Sequence, residues 1–134
     1  MNVTLHFHFE EFACKDGTPY PEDWITDRLL PLAKDLEKIR ERIKKPLLIT
    51  SAYRTPEHNK AVKGAPNSYH VKGLAVDFKV MSKIDEKSIS PDALYAIIDE
   101  MIKSGEIRDG GLGKYKGKTI VHYDHGEPGR RWTK

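Results

Sequence analysis

Between residues 25 and 43 apolar side chains recur at Ile25, Leu29, Leu32, Leu36, Ile39 and Ile43, with spacings of four, three, four, three and four. That rhythm is one face of an amphipathic helix, and Pro31 within it either kinks the helix or opens a second segment. The short run Pro46-Leu47-Leu48-Ile49-Thr50 reads as a strand, and Gly73 to Val80 as a second one. Between them Pro56 to Val62 fits a helical turn, and Gly64-Ala65-Pro66-Asn67 is loop. A further helix is predicted from about Pro91 to Ser104. Ser90 suits its N-cap, Pro91 its first position and Gly105 its C-terminal cap, with Leu94, Ile97, Ile98, Met101 and Ile102 on the buried face. Gly110-Gly111-Leu112-Gly113 follows, and Lys118 to Tyr123 closes the list as a final strand. Helix, strand, strand, helix, strand predicts an α+β domain, a small and mostly antiparallel sheet with flanking helices.

Nothing in the chain divides it. There is no internal repeat, low-complexity segment or long linker, so residues 1–134 read as a single domain. With 38% hydrophobic and 32% charged residues the composition is that of a globular, somewhat polar protein. No apolar run is long enough for a transmembrane helix, and the N-terminus lacks the basic and then apolar pattern of a signal peptide. The net charge of +3 suits approach to an anionic surface, but Lys and Arg are interleaved with Asp and Glu, and no nucleic-acid-binding motif is present. One cysteine, Cys14, excludes an internal disulfide and any cysteine-rich zinc module; its simplest reading is a small buried hydrophobe beside a turn at Lys15-Asp16-Gly17.

Chemistry concentrates in Ser68-Tyr-His70-Val-Lys-Gly73-Leu-Ala-Val-Asp77. His70 and Asp77 are a nitrogen and an oxygen ligand suited to zinc, placed so that a loop presents one and a strand the other. A third ligand must come from elsewhere, and the other dense His/Asp cluster is His122-Tyr123-Asp124-His125. Two imidazoles and a carboxylate leave a fourth coordination position open, which is the catalytic arrangement of zinc. Residues 122 and 125 have opposite parity, so a regular strand cannot aim both at one metal. Arg54, just after the first strand, is placed to clamp a carboxylate or to form a local salt bridge.

Taken together, Ser51-Ala52-Tyr53-Arg54, His58-Asn59, Gly64-Ala65-Pro66-Asn67-Ser68 and Ser68-x-His70-x-x-Gly73-x-Ala75-x-Asp77 resemble the zinc D-Ala-D-Ala carboxypeptidase family. That group includes cell-wall carboxypeptidases, murein endopeptidases and phage endolysins, and shares its fold with the hedgehog signalling domain. The likeness extends to Phe9-x-x-Phe12-x-Cys14-Lys15-Asp16-Gly17 and to His122-x-Asp124 with Arg130, Arg131 and Trp132, and so covers nearly the whole chain. It implies one zinc ion held by His70, Asp77 and His122, a substrate carboxylate held by Arg54, and support of the site by hydrogen bonds from Ser68. Two departures stand out. Ala52 occupies a position where many members have glycine, and Thr119 lies three residues before His122, where several branches carry an acidic base. Asp124, on the same strand face as His122, is the expected substitute as proton shuttle, with His125 as its competitor.

The expected protein is therefore a zinc metallopeptidase that hydrolyses stem peptides or cross-links of peptidoglycan, as a D,D-carboxypeptidase or endopeptidase. The expected form is a monomer of hedgehog/DD-peptidase-like fold that does not insert into membranes. The resemblance to phage lysins places it at the cell wall, released at lysis or carried on a virion. The alternative is a zinc-stabilised binding module of the same fold without activity.

Overall fold

The computed structural model describes residues 1–80 and 89–134. It is an α+β structure in which α1 (Leu30–Ile43), α2 (Pro56–Ala61) and α3 (Pro91–Lys103) accompany a five-stranded sheet. The strands are β1 (Leu47–Ser51), β2 (Ala75–Val80), β3 (Gly111–Lys114), β4 (Val121–Asp124) and β5 (Arg130–Thr133), in the order β1-β2-β4-β3-β5. Every pairing is antiparallel except β3 with β5.

The apolar period that begins at Ile25 runs through two kinds of helix. A π-helical turn spans Ile25–Leu29 and runs directly into α1, which opens at Leu30 with Pro31 in its first turn. Pro31 thus falls where the helix changes from π to α. In α3 the Ser90 hydroxyl accepts the Ala93 N–H at 3.1 Å, and Gly105 takes the left-handed conformation at φ 80° that ends the helix. Leu94, Ile98, Met101 and Ile102 are buried as the pattern predicts, while Ile97 packs at the core margin.

The sheet has two unlike faces. Val76, Phe78, Leu112, Val121 and Tyr123 point to one side and are fully buried with Leu32, Leu36, Ile39, Leu94 and Ile98 of the helices. Strand alternation sends Asp77, His122 and Asp124 to the other side. The pairing of β1 with β2 shifts register between Ile49 and Ser51, so that Ile49 faces Phe78 of the core while Ser51 faces Asp77. The irregularity turns the end of β1 toward the polar face.

One polar cluster sits under the sheet on the helix side. Asp35 of α1 accepts the Arg108 N–H at 3.1 Å, and its Oδ2 lies 2.7 Å from His125 Nε2 and 3.1 Å from the Tyr123 hydroxyl. Burial pushes the Asp35 carboxyl up, but these bonds outweigh it and hold it below its ordinary value of 3.8. Its stabilisation is therefore present above that value and is lost as pH falls through the lowered one. Asp35→Ala removes an acceptor shared by three groups and leaves the buried His125 ring without a hydrogen bond, while the Tyr123 hydroxyl keeps its bond to the Arg108 carbonyl. It should cost about 3 kcal/mol in urea unfolding and leave metal binding on the opposite face intact. A loss below about 1 kcal/mol would mean that the partners are satisfied without Asp35.

Candidate metal centre

Register builds the polar face. Asp77 of β2 pairs with His122 of β4, His122 with Gly113 of β3, and Gly113 with Trp132 of β5. The neighbouring row runs Ala75, Asp124, Gly111, Arg130. Cross-strand partners share a face, so each row places its side chains side by side. The glycines are what let the rows close. A methyl group on Gly113 would overlap the Trp132 indole, and one on Gly111 would overlap the Asp124 carboxylate and the Arg130 guanidinium. Across those gaps Trp132 packs against His122, ring centres 5.0 Å apart, and Arg130 grips Asp124 through two nitrogens.

His70 arrives from the turn that precedes β2. Its Nδ1 lies 2.7 Å from the Ala52 carbonyl, a pure acceptor, so that nitrogen carries the proton and Nε2 is left facing Asp77 Oδ2 at 3.3 Å. The backbone on either side is pinned: Ser68 Oγ accepts the His70 N–H at 3.2 Å, and the Arg54 N–H donates to the His70 carbonyl at 3.1 Å. His122 presents Nδ1 to Asp77 Oδ1 at 2.9 Å and Nε2 to Asp124 Oδ2 at 2.7 Å. The outcome is a buried trio, His70, Asp77 and His122, whose ligand atoms lie within 4.8 Å of one another.

This donor set fits a divalent cation. Burial pushes the Asp77 carboxyl up, yet the bonds from His122 and His70 outweigh it and keep Asp77 well below the ordinary carboxylate range. Burial pulls His122 down, and its two carboxylate partners raise it above 6.5 overall. Two imidazoles therefore crowd one ionised carboxylate, and a metal ion is able to take the place of the proton between His122 Nδ1 and Asp77. Asp124 behaves differently. It is fully buried, with Oδ1 accepting the Gly111 N–H at 3.0 Å, the Gly126 N–H at 2.8 Å and Arg130. Its Oδ2 takes His122 and Arg130. His125 faces the opposite side of the sheet, against Asp35, and is not part of the trio.

Arg54 lies beside the trio, Nη2 3.5 Å from Asp77 Oδ2, with Nε on Ser51 Oγ at 3.3 Å and Nη1 on Asn59 Oδ1 at 3.2 Å. Asn59 is buried and also donates to the Ala65 carbonyl at 2.9 Å. Arg54 and the trio open onto a cleft of about 760 Å³ with a basic rim that includes Lys63, Arg130 and Lys134. A larger groove of about 900 Å³ lies between the N-terminal segment, α1 and the end of α3, but its histidine, His6, is already bonded to Glu37. Three contributors to the cleft had no assigned role in the sequence reading. Arg130 binds Asp124, Asn59 braces Arg54, and Tyr115 lines the wall. The His122-x-Asp124 pairing with Arg130 was visible as a pattern, whereas nothing local to Tyr115 marks it.

A family model described as Peptidase M15 matches residues 5–124. No curated protein sequence matches the chain.

Proposed function

The chain belongs to the Peptidase M15 family, a family of zinc-dependent metallopeptidases, and from that premise we propose that it cuts a peptide bond in the stem peptides or cross-links of peptidoglycan. The observation that carries the reading is the convergence of His70, Asp77 and His122 at the floor of a basic cleft. In this reading those three residues hold one zinc ion. Zinc so bound supplies a Lewis acid that activates water and polarises a carbonyl.

The remaining roles belong to side chains of the chain itself. The Ala52 carbonyl fixes the His70 tautomer, leaving Nε2 as the ligand atom. Arg54, held from behind by Ser51 and Asn59, offers its guanidinium to a substrate carboxylate, either a terminal D-alanine or a diamino-acid side group. Ser68 supports the site by holding the His70 backbone rather than by touching substrate. Trp132 shields the outer face of His122. Asp124 is reassigned. Its oxygens already meet His122, Arg130 and two backbone N–H groups, so it serves as the residue that orients His122 in place of the proton shuttle expected from the sequence. The same reading takes 1–134 as one catalytic domain of hedgehog/DD-peptidase-like fold, monomeric, acting at the cell wall as a phage-encoded lysin or virion component.

One observation favours a second reading, a zinc-stabilised binding module. Among the described residues the side-chain carboxylates lining the cleft are Asp77 and Asp124, both already engaged, and Thr119 stands where an acidic base is expected. Digestion of purified sacculi from several wall chemistries, with muropeptides identified by mass spectrometry, separates the two. The peptidase reading expects new termini that vanish with chelator and return with zinc. Release of no product from any wall type would leave only the binding module.

A further inference from the structure

A second group of metal-ligand side chains lies outside the cleft. Cys14, Asp16 and His58 bring a sulfur, a carboxylate oxygen and an imidazole nitrogen within 4.8 Å of one another. We propose that these three residues form a second, structural site for a borderline divalent cation such as zinc or cobalt, tying the N-terminal turn to α2. The proposal stands independently of the activity at the cleft.

The framework is built before any ion arrives. Residues 14–18 close a tight turn: the Gly17 N–H donates to the Cys14 carbonyl at 3.0 Å and the Cys14 N–H to the Thr18 carbonyl at 2.8 Å, with Gly17 at φ 96°. That turn aims the side chains of Cys14 and Asp16, two residues apart, toward α2. Thr55 caps α2 by accepting the His58 N–H at 3.1 Å and donates its hydroxyl to Asp16 Oδ2 at 2.9 Å. One threonine thereby sets the position of the third ligand against the second.

The donor atoms are available, and this distinguishes the group from the other histidine clusters. The Cys14 thiol is buried, with Thr55 Oγ1 4.0 Å away, and it also donates to the Asp16 carboxylate, a proton whose place a metal ion would take. No hydrogen bond engages the His58 imidazole among the described residues, whereas His6, His70, His122 and His125 are all held by ring-nitrogen bonds. Bonds from Thr18 and Thr55 hold the Asp16 carboxyl well below the ordinary range, so it meets a cation already ionised. Thiolate, imidazole and carboxylate together are a zinc-like set, and metal binding would displace the thiol proton. Three protein ligands leave a fourth position for water. The site would brace Tyr53 and Thr55, the residues that flank Arg54, through a tether that already includes the Tyr53 N–H bond to the Phe12 carbonyl at 3.2 Å.

Cobalt(II) titration of the metal-free full chain tests this, because the cleft offers only nitrogen and oxygen while Cys14 is the single cysteine. A sulfur-to-cobalt charge-transfer band in the near ultraviolet therefore reports this site and no other. The parent should bind two cobalt ions per chain and develop the band. Cys14→Ser and His58→Ala should each lose the band and one equivalent, while His70→Ala keeps the band and loses the other equivalent. Zinc should still raise the melting temperature of His70→Ala, and that rise should vanish when Cys14→Ser is added. Saturation of the parent without the band would overturn the proposal. So would a band of undiminished intensity in the His58→Ala, Asp16→Ala double variant, which would reduce the site to a lone thiol.

Discussion

Under the proposed function, Asp77→Asn should lower peptidoglycan hydrolysis by at least about a thousandfold and abolish zinc binding in the cleft. A metal ion that stabilises developing charge contributes several kcal/mol, and about 1.4 kcal/mol corresponds to each tenfold in rate. Asp77 is the one carboxylate of the trio and touches each of the other parts, with His122 at 2.9 Å, His70 at 3.3 Å and Arg54 at 3.5 Å. Asparagine keeps the volume but removes the charge, and its amide nitrogen turns a donor either toward the Arg54 guanidinium or toward His122 Nδ1, which carries a proton when no metal is bound. The metal-free variant should therefore lose about 1–3 kcal/mol of stability as well. Metal content per chain, measured beside muropeptide release, checks the claim. A variant that still digests sacculi and still responds to chelator would mean that the metal is held elsewhere.

Much of this arrangement was readable before the fold was known, and the parts that were not share one cause. Helices α1 and α3 announced themselves because their signals are local. A 3.6-residue apolar period, a capping serine, an early proline and a terminal glycine all lie within the element that they define. β1 and β2 were visible as apolar runs. β3 was not, because Gly111 and Gly113 leave no apolar alternation to mark a strand when the chain is scanned alone. Those residues are glycines on account of partners on other strands, namely Asp124 and Arg130 at one and Trp132 at the other. β5 was missed for a related reason, since Arg130 and Trp132 are chosen for a polar face and not for a buried core. The five-stranded, mixed sheet is thus larger than the three strands that the pattern suggested. At the cleft, the residues that converge could be read from 68–77 and 122–125. The hydrogen bonding within His122-x-Asp124 could not, because it depends on which ring nitrogen meets which carboxylate. That is decided by the pairing of residue 77 with residue 122, some forty-five positions away.

Asp124→Asn should weaken zinc binding by about 10- to 100-fold, the usual cost of losing the carboxylate that orients a ligating histidine. Hydrolysis at trace zinc should fall in parallel and recover when zinc is saturating. Asp124 is already committed to its neighbours. Its two oxygens accept from His122, Arg130, Gly111 and Gly126, and although the side chain borders the cleft it is almost wholly buried by these partners. Burial pushes its carboxyl up, but the bonds from His122 and Arg130 outweigh that and hold it well below the ordinary range. A proton shuttle works best with a pKa near the operating pH, and Asp124 is tuned away from it. Asparagine preserves one acceptor for the Nε2 proton while removing the charge that favours that tautomer, so His122 turns less reliably toward Asp77. The two roles part at saturating zinc. A positioning residue predicts near-parental kcat and an unmoved pH profile there, because occupancy has been restored. A proton shuttle predicts a kcat deficit that added zinc leaves untouched and a displaced acidic limb, and that result would return Asp124 to the chemistry of the bond-breaking step.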